Sequence, residues 1–82
     1  MKIKVKVIGR YKDIIQQSEI EFDAKTGDSI RQVIDRISER YPVIGKDKKF
    51  LMVSKNGVYA SFDTIIYEND VITIAPPVVS GG

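Results

Sequence analysis

One stretch of helical period governs what this sequence can fold into. Ile30, Val33, Ile34, Ile37 and Tyr41 fall on a single apolar stripe, while Arg31, Asp35, Arg36, Glu39 and Arg40 lie mostly elsewhere around the wheel. Ser29 followed by Gln32 has the spacing of a capping box at the start. Pro42 closes the helix, because the residue before a proline is pushed away from the α region. Asp35 and Glu39 stand four apart, as do Arg36 and Arg40, so these rows supply no ion pairs of their own. The helix must therefore be held by packing its stripe against something else.

That something is a sheet. Lys2, Lys4 and Lys6 alternate with Ile3, Val5 and Val7, the period of a half-buried strand. Gln17 to Asp23 alternates in the same way, with Ile20 and Phe22 on one face and Glu19 and Glu21 on the other. Gly9 to Gln16 between them reads as a hairpin connection, and antiparallel pairing sets the Lys row against the Glu row on the solvent side. After the helix, Val43 to Lys49 reads as a loop with a solvated cluster of Lys46, Lys48 and Lys49. The apolar run Phe50-Leu51-Met52-Val53-Ser54 predicts a buried central strand. Asn56-Gly57 signals a tight hairpin turn, with Val58 to Ala60 as the return strand. Ser61 to Asn69 is irregular, and Glu68-Asn69-Asp70 reads as a turn rather than a cation loop. Val71 to Ala75 is the last strand, ended by Pro76-Pro77.

The order predicts an α+β domain of two layers: a mixed sheet of about five strands on one main helix, with the first and last strands as a parallel central pair. This is a β-grasp, ubiquitin-like arrangement. It divides the 82 residues into a domain over 1–77 and a tail over 78–82.

Composition removes most chemistry from the domain itself. There is no cysteine, hence no disulfide or thiolate metal site, and no histidine, hence neither the usual zinc ligand nor the usual base near neutral pH. Asp13, Asp63 and Asp70 read as isolated carboxylates. A net charge of +2 with no Trp argues against a nucleic-acid partner. No apolar run approaches a membrane span, and the first eight residues lack the apolar core of a signal peptide, so a cytoplasmic protein is expected.

The tail is where chemistry can reside. Val78-Val79-Ser80-Gly81-Gly82 follows two prolines that favour an extended base. A diglycine end suits a carboxylate threaded into another protein's active site, because a backbone without Cβ atoms enters a narrow channel. The terminal carboxylate is ionised and a poor acyl donor until a partner activates it. No Walker loop or metal cluster here could do that.

Ser61-Phe62-Asp63-Thr64, Asn69-Asp70-Val71, Pro76-Pro77 and Ser80-Gly81-Gly82 together resemble the MoaD family, the small sulfur-carrier subunit of molybdopterin synthase. The resemblance covers essentially the whole chain. It departs by one extra valine in the tail, a lengthening of roughly 3.3 Å. The resemblance implies that a MoeB-like, E1-like enzyme uses ATP to adenylate Gly82, which then becomes a thiocarboxylate. No cofactor is bound by the carrier itself. A large, MoaE-like subunit would take the tail and pass the sulfur to cyclic pyranopterin monophosphate. The implied docking patch is Ile8, Tyr59 and Ala75, with a basic residue at Lys12 or Arg10 nearby. Ala75 stands where the family is often aromatic, and Ile8 could equally be ordinary core. Three alternatives stay open: a related carrier for thiazole or tRNA thiolation, a modifier conjugated to lysines, and a plain protein-interaction module.

Overall fold

The computed structural model describes residues 1–77. The elements run β1 (Lys2–Val7), α1 (Arg10–Ile15), β2 (Glu19–Asp23), α2 (Ile30–Arg40), α3 (Pro42–Gly45), a 3-10 turn (Lys48–Phe50), β3 (Met52–Lys55), β4 (Val58–Tyr59) and β5 (Val71–Ala75). The five strands form one sheet in the order β2-β1-β5-β3-β4. β1 and β5 are parallel, and the other pairs are antiparallel. This is the β-grasp arrangement expected, with β5 at its centre.

Alternation along β1 places Ile3, Val5 and Val7 inside. They meet Ile72 and Ile74 of β5 and the stripe Ile30, Val33, Ile34 and Ile37 of α2 in one core. Each of these isoleucines contributes about 1.5–3 kcal/mol by leaving water. The Ser29 backbone N–H and hydroxyl both donate to Gln32 Oε1, at 2.6 Å each, which closes the Gln32 arm of the expected capping box. On the outer face the two charged rows meet diagonally. Lys4 stands opposite Glu21 in register, yet the ion pairs are Lys2–Glu21 at 3.7 Å and Lys4–Glu19 at 3.8 Å.

Three expectations are corrected. The connection after β1 is not a plain hairpin, because α1 lies within it and carries Tyr11 into the core with no exposed surface. The loop expected over Val43 to Lys49 is α3 followed by a 3-10 turn. Pro42 both ends α2 and starts α3, since its fixed φ suits a first helical position and its missing N–H would be unpaired there anyway. Ile44 of α3 is fully buried. The apolar run from Phe50 is not a buried central strand. Phe50 is 70% exposed, β3 starts only at Met52, and Met52 faces outward while Val53 faces in. The 61–69 stretch is irregular with short turns, as expected, and it also serves α2. The carbonyls of Thr64 and Phe62 accept the Ile30 and Arg31 N–H groups at 2.9 and 2.8 Å, satisfying donors that the first turn of α2 would leave orphaned.

Candidate functional site

Residues that face away from α2 meet at one end of the sheet. Register sets Met52 of β3 beside Ala75 of β5, and Ser54 beside both Thr73 of β5 and Tyr59 of β4. Ile8 continues the outer face of β1 and donates its N–H to the Ile74 carbonyl at 3.2 Å, which brings it alongside the end of β5. These residues, with Pro76, line an open groove of about 340 Å³. It is apolar, and its walls face water: Ile8 is 46% exposed and Tyr59 78%. Exposed apolar residues gathered in one groove make this a candidate surface for a protein partner.

The tight turn at the hairpin tip shapes one wall. Asn56 and Gly57 have φ of 52° and 86°, the positive pair that a type I′ turn requires. Pro76, another lining residue, sits close to Gly9, whose φ is +65° and ψ −142°. A Cβ there would stand 3.3 Å from Pro76 Cγ. Gly9→Ala should therefore cost about 1–3 kcal/mol through backbone strain and displace Pro76 at the groove rim. Urea unfolding measures the first effect, and backbone amide shifts around Ala75 the second.

The structure places Ile8, Tyr59 and Ala75 together in this groove, and Ile8 is not core. Lys12 is not with them. It lies on α1 beside a separate depression with Asp13, Gln16 and Gln17. Arg10 is committed elsewhere, to Asp47 at 2.7 Å and over the Tyr11 ring at 5.4 Å. Met52 and Pro76 are groove residues that sequence reasoning missed. Met52 was hidden in a run that reads as wholly buried, and only its even spacing from Ser54 hinted at an outward face. Gly82, Gly81, Ser80, Val79 and Val78 lie outside the described residues. Pro76, at the groove's edge, stands two positions before that segment.

Two polar clusters brace the frame behind the groove. Asp70 is not isolated. It is 8% exposed and accepts from Asn56 Nδ2 at 2.9 Å and from the Tyr67 N–H at 2.8 Å, with Lys55 Nζ at 3.4 Å. Asn56 Oδ1 in turn accepts the Val71 N–H at 2.8 Å, so the hairpin tip is tied to the start of β5. Burial alone would push the Asp70 pKa up, but the Asn56 amide, the Tyr67 N–H and Lys55 together hold it below the ordinary carboxylate value. At the other cluster the Tyr11 hydroxyl donates to Asp47 at 2.6 Å. Burial and then this bond push the Tyr11 phenol far above its ordinary pKa. The same bond, followed by the one from Arg10, pulls Asp47 down.

A carboxylate depressed in the folded state adds stability that is complete above its unfolded pKa, near 4, and is lost as pH falls through the native value. Thermal midpoints should accordingly fall below about pH 4. Asp70→Asn should shrink that acid limb and cost about 1–3 kcal/mol at neutral pH, because it removes the charged acceptor from two part-buried hydrogen bonds. Denaturant titrations at neutral and acid pH check both statements. Among the described residues no group of three or more His, Cys, Asp or Glu side chains could hold a metal ion. No helix among them is long and apolar enough to cross a membrane.

Comparison with known proteins fits this geometry. The model of the ThiS family matches residues 5–82. A putative molybdopterin converting factor subunit 1 from Pyrococcus furiosus superposes with a TM-score of 0.82 at 26% identity, covering 95% of this chain and 99% of that one. Small archaeal modifier protein 1 from Methanosarcina acetivorans shares the fold with a TM-score of 0.79 at 22% identity, covering 99% and 96%. So does a complex of subunits 1 and 2 of molybdopterin-converting factor from Helicobacter pylori, with a TM-score of 0.68 at 18% identity, covering 99% and 100%.

Proposed function

The chain belongs to the ThiS family, and from that premise we propose that it carries sulfur on the carboxyl group of Gly82 for the synthesis of molybdopterin. The observation that carries this reading is the apolar groove of Ile8, Met52, Tyr59 and Ala75, which meets Pro76 at the base of a segment ending in Gly81-Gly82. A partner seated on the groove would have the start of the tail at its edge. The likeness to a molybdopterin converting factor subunit, at 26% identity over nearly the whole of both chains, supports the choice of pathway.

The chemistry follows from the carboxylate. An E1-like, MoeB-like partner supplies ATP, and an oxygen of the Gly82 carboxylate attacks the α-phosphate, releasing pyrophosphate. The sulfur of a persulfide donor then displaces AMP, and a thiol cleaves the resulting acyl disulfide to the thiocarboxylate. A large, MoaE-like subunit would dock on the groove and lead the tail to cyclic pyranopterin monophosphate; the complex of subunits 1 and 2 from Helicobacter pylori supports a partner of that kind. Sulfur is the softer nucleophile, and after transfer and hydrolysis the carrier returns as a carboxylate. The domain supplies recognition and reach and binds no cofactor of its own. The reading places it in the cytoplasm, with the ATP.

A second reading, conjugation of Gly82 to lysines of other proteins, draws support from the shared fold of a small archaeal modifier protein. One experiment separates the two. The chain is incubated with an E1-like partner, ATP and a persulfide donor, and intact mass and peptide mapping follow. Exchange of one oxygen for one sulfur at Gly82 is the expected result. Isopeptide bonds from Gly82 to lysines, without that exchange, would favour the modifier. An unchanged chain beside a partner active on another carrier would leave only a protein-interaction module.

A further inference from the structure

A second groove, of about 470 Å³, lies on the far side of the sheet. Arg31, Ile34 and Asp35 of α2 form one wall, Lys48 and Lys49 of the 3-10 turn another, and Phe62 closes it. The groove is built around Phe62. The Phe62 carbonyl is held by the Arg31 N–H at 2.8 Å, and the Arg31 guanidinium lies over the Phe62 ring at 5.5 Å. Arg31 also pairs with Asp63 at 3.0 Å, and Lys48 pairs with Asp35. Among the described residues Lys49 pairs with no carboxylate.

Charge is concentrated here. Of the residues that line the groove, Arg31, Lys48 and Lys49 are cations and Asp35 is the one carboxylate. Phe50, next in sequence to Lys49, adds an exposed ring that the core does not use.

We propose that this groove docks a segment of a partner protein in which an apolar side chain is flanked by carboxylates. The apolar residue would cover the partly exposed Phe62 ring, and its flanking carboxylates would meet Arg31, Lys48 and Lys49. The Asp63 side chain is 83% exposed, so its pair with Arg31 is weak and exchanges readily for a partner's carboxylate. A small phosphate fits less well. The Ile30 and Arg31 N–H groups at the start of α2 are already given to the Thr64 and Phe62 carbonyls, and the cations stand around an apolar floor instead of converging on a point. The site is independent of the sulfur-carrier reading. It lies across the sheet from the groove of Ile8 and Tyr59, so both faces can be occupied at once.

The test titrates the isotope-labelled full chain with a synthetic peptide that has a central Phe between two pairs of Glu. Amide shifts are expected at Arg31, Lys48, Lys49 and Phe62. Lys48→Glu/Lys49→Glu should weaken binding at least about tenfold, and so should replacing the peptide's Glu residues by Gln. Lys2→Glu/Lys6→Glu, the same charge change on the other sheet face, should leave it unaltered. Lys49→Glu alone, which keeps the Lys48–Asp35 pair, gives a weaker loss in the same direction and serves if the double variant does not fold. Absence of binding, shifts centred on Ile8 and Tyr59, or insensitivity to the charge reversals would overturn the proposal. Displacement of the peptide by inorganic phosphate moving the same amides would overturn it in favour of a phosphate site.

Discussion

Deleting Gly82, or adding one residue after it, abolishes sulfur transfer and leaves the thermal midpoint at the wild-type value. The reacting atom in the proposed cycle is the Gly82 carboxyl carbon. Deletion moves that carboxyl back by one residue, about 3.3 Å, and extension buries it in a peptide bond and displaces the new terminus outward. Either change exceeds the roughly 1 Å tolerance of a positioned reacting group. Stability should not follow, because among the described residues every member of the buried core lies between Ile3 and Ile74. Two measurements are needed on each variant. Intact mass after incubation with the activating partner reports transfer, and a thermal melt reports the fold. Retained transfer in the extended variant would refute the role of the free carboxyl. A lowered midpoint would show that the tail contributes to the packed domain.

Ile34→Asp unfolds the domain. Ile34 has no exposed surface and sits in the middle of the α2 stripe, packed into the core that β1 and β5 complete. An ionised carboxylate there costs several kcal/mol with no partner to offset it. A domain this size holds only about 4–12 kcal/mol in total at roughly 0.05–0.15 kcal/mol per residue. The Ile34→Val control removes one methylene and should cost about 0.5–1.5 kcal/mol. Circular dichroism and urea titration distinguish the two. A folded Ile34→Asp protein with a near wild-type midpoint would mean that α2 does not pack by this stripe.

The contrast between Ile34 and Met52 shows where sequence reading works and where it stops. A helical stripe reports its own orientation, because a period of 3.6 leaves one face apolar only when one face is covered. Ile30, Val33, Ile34 and Ile37 could therefore be assigned to the core from spacing alone, and the strict alternation of Ile3, Val5 and Val7 could be assigned likewise. Phe50 to Val53 carries no such signal. An unbroken apolar run looks the same whether both faces are buried or one is kept apolar for another purpose. Met52 belongs to the second case, and its neighbours in the groove include residues of β4 and β5, Ile8 just after β1, and Pro76.

Connections were the least legible part. Gly9 to Gln16 shows no helical stripe, since α1 is too short to display one, and Tyr11 gives no hint that its ring is buried with its hydroxyl on Asp47, 36 positions away. Asp70 looked isolated because its partners, Asn56 and Lys55, stand 14 and 15 residues distant. Lys12 shows the same limit: it lines a depression with Asp13, Gln16 and Gln17 and is not among the residues that line the groove.

By itself, then, the sequence determined the elements that repeat: strand, helix and hairpin, their order, and with it the β-grasp fold, because each period states which face must be buried. It also displayed the diglycine end as a chemical motif, because that motif is local. Only the tertiary structure decided which exposed residues share a surface. The groove of Ile8, Met52, Tyr59 and Ala75 and the basic groove around Phe62 are both made by bringing distant segments together, and a contact between segments leaves no period in either one.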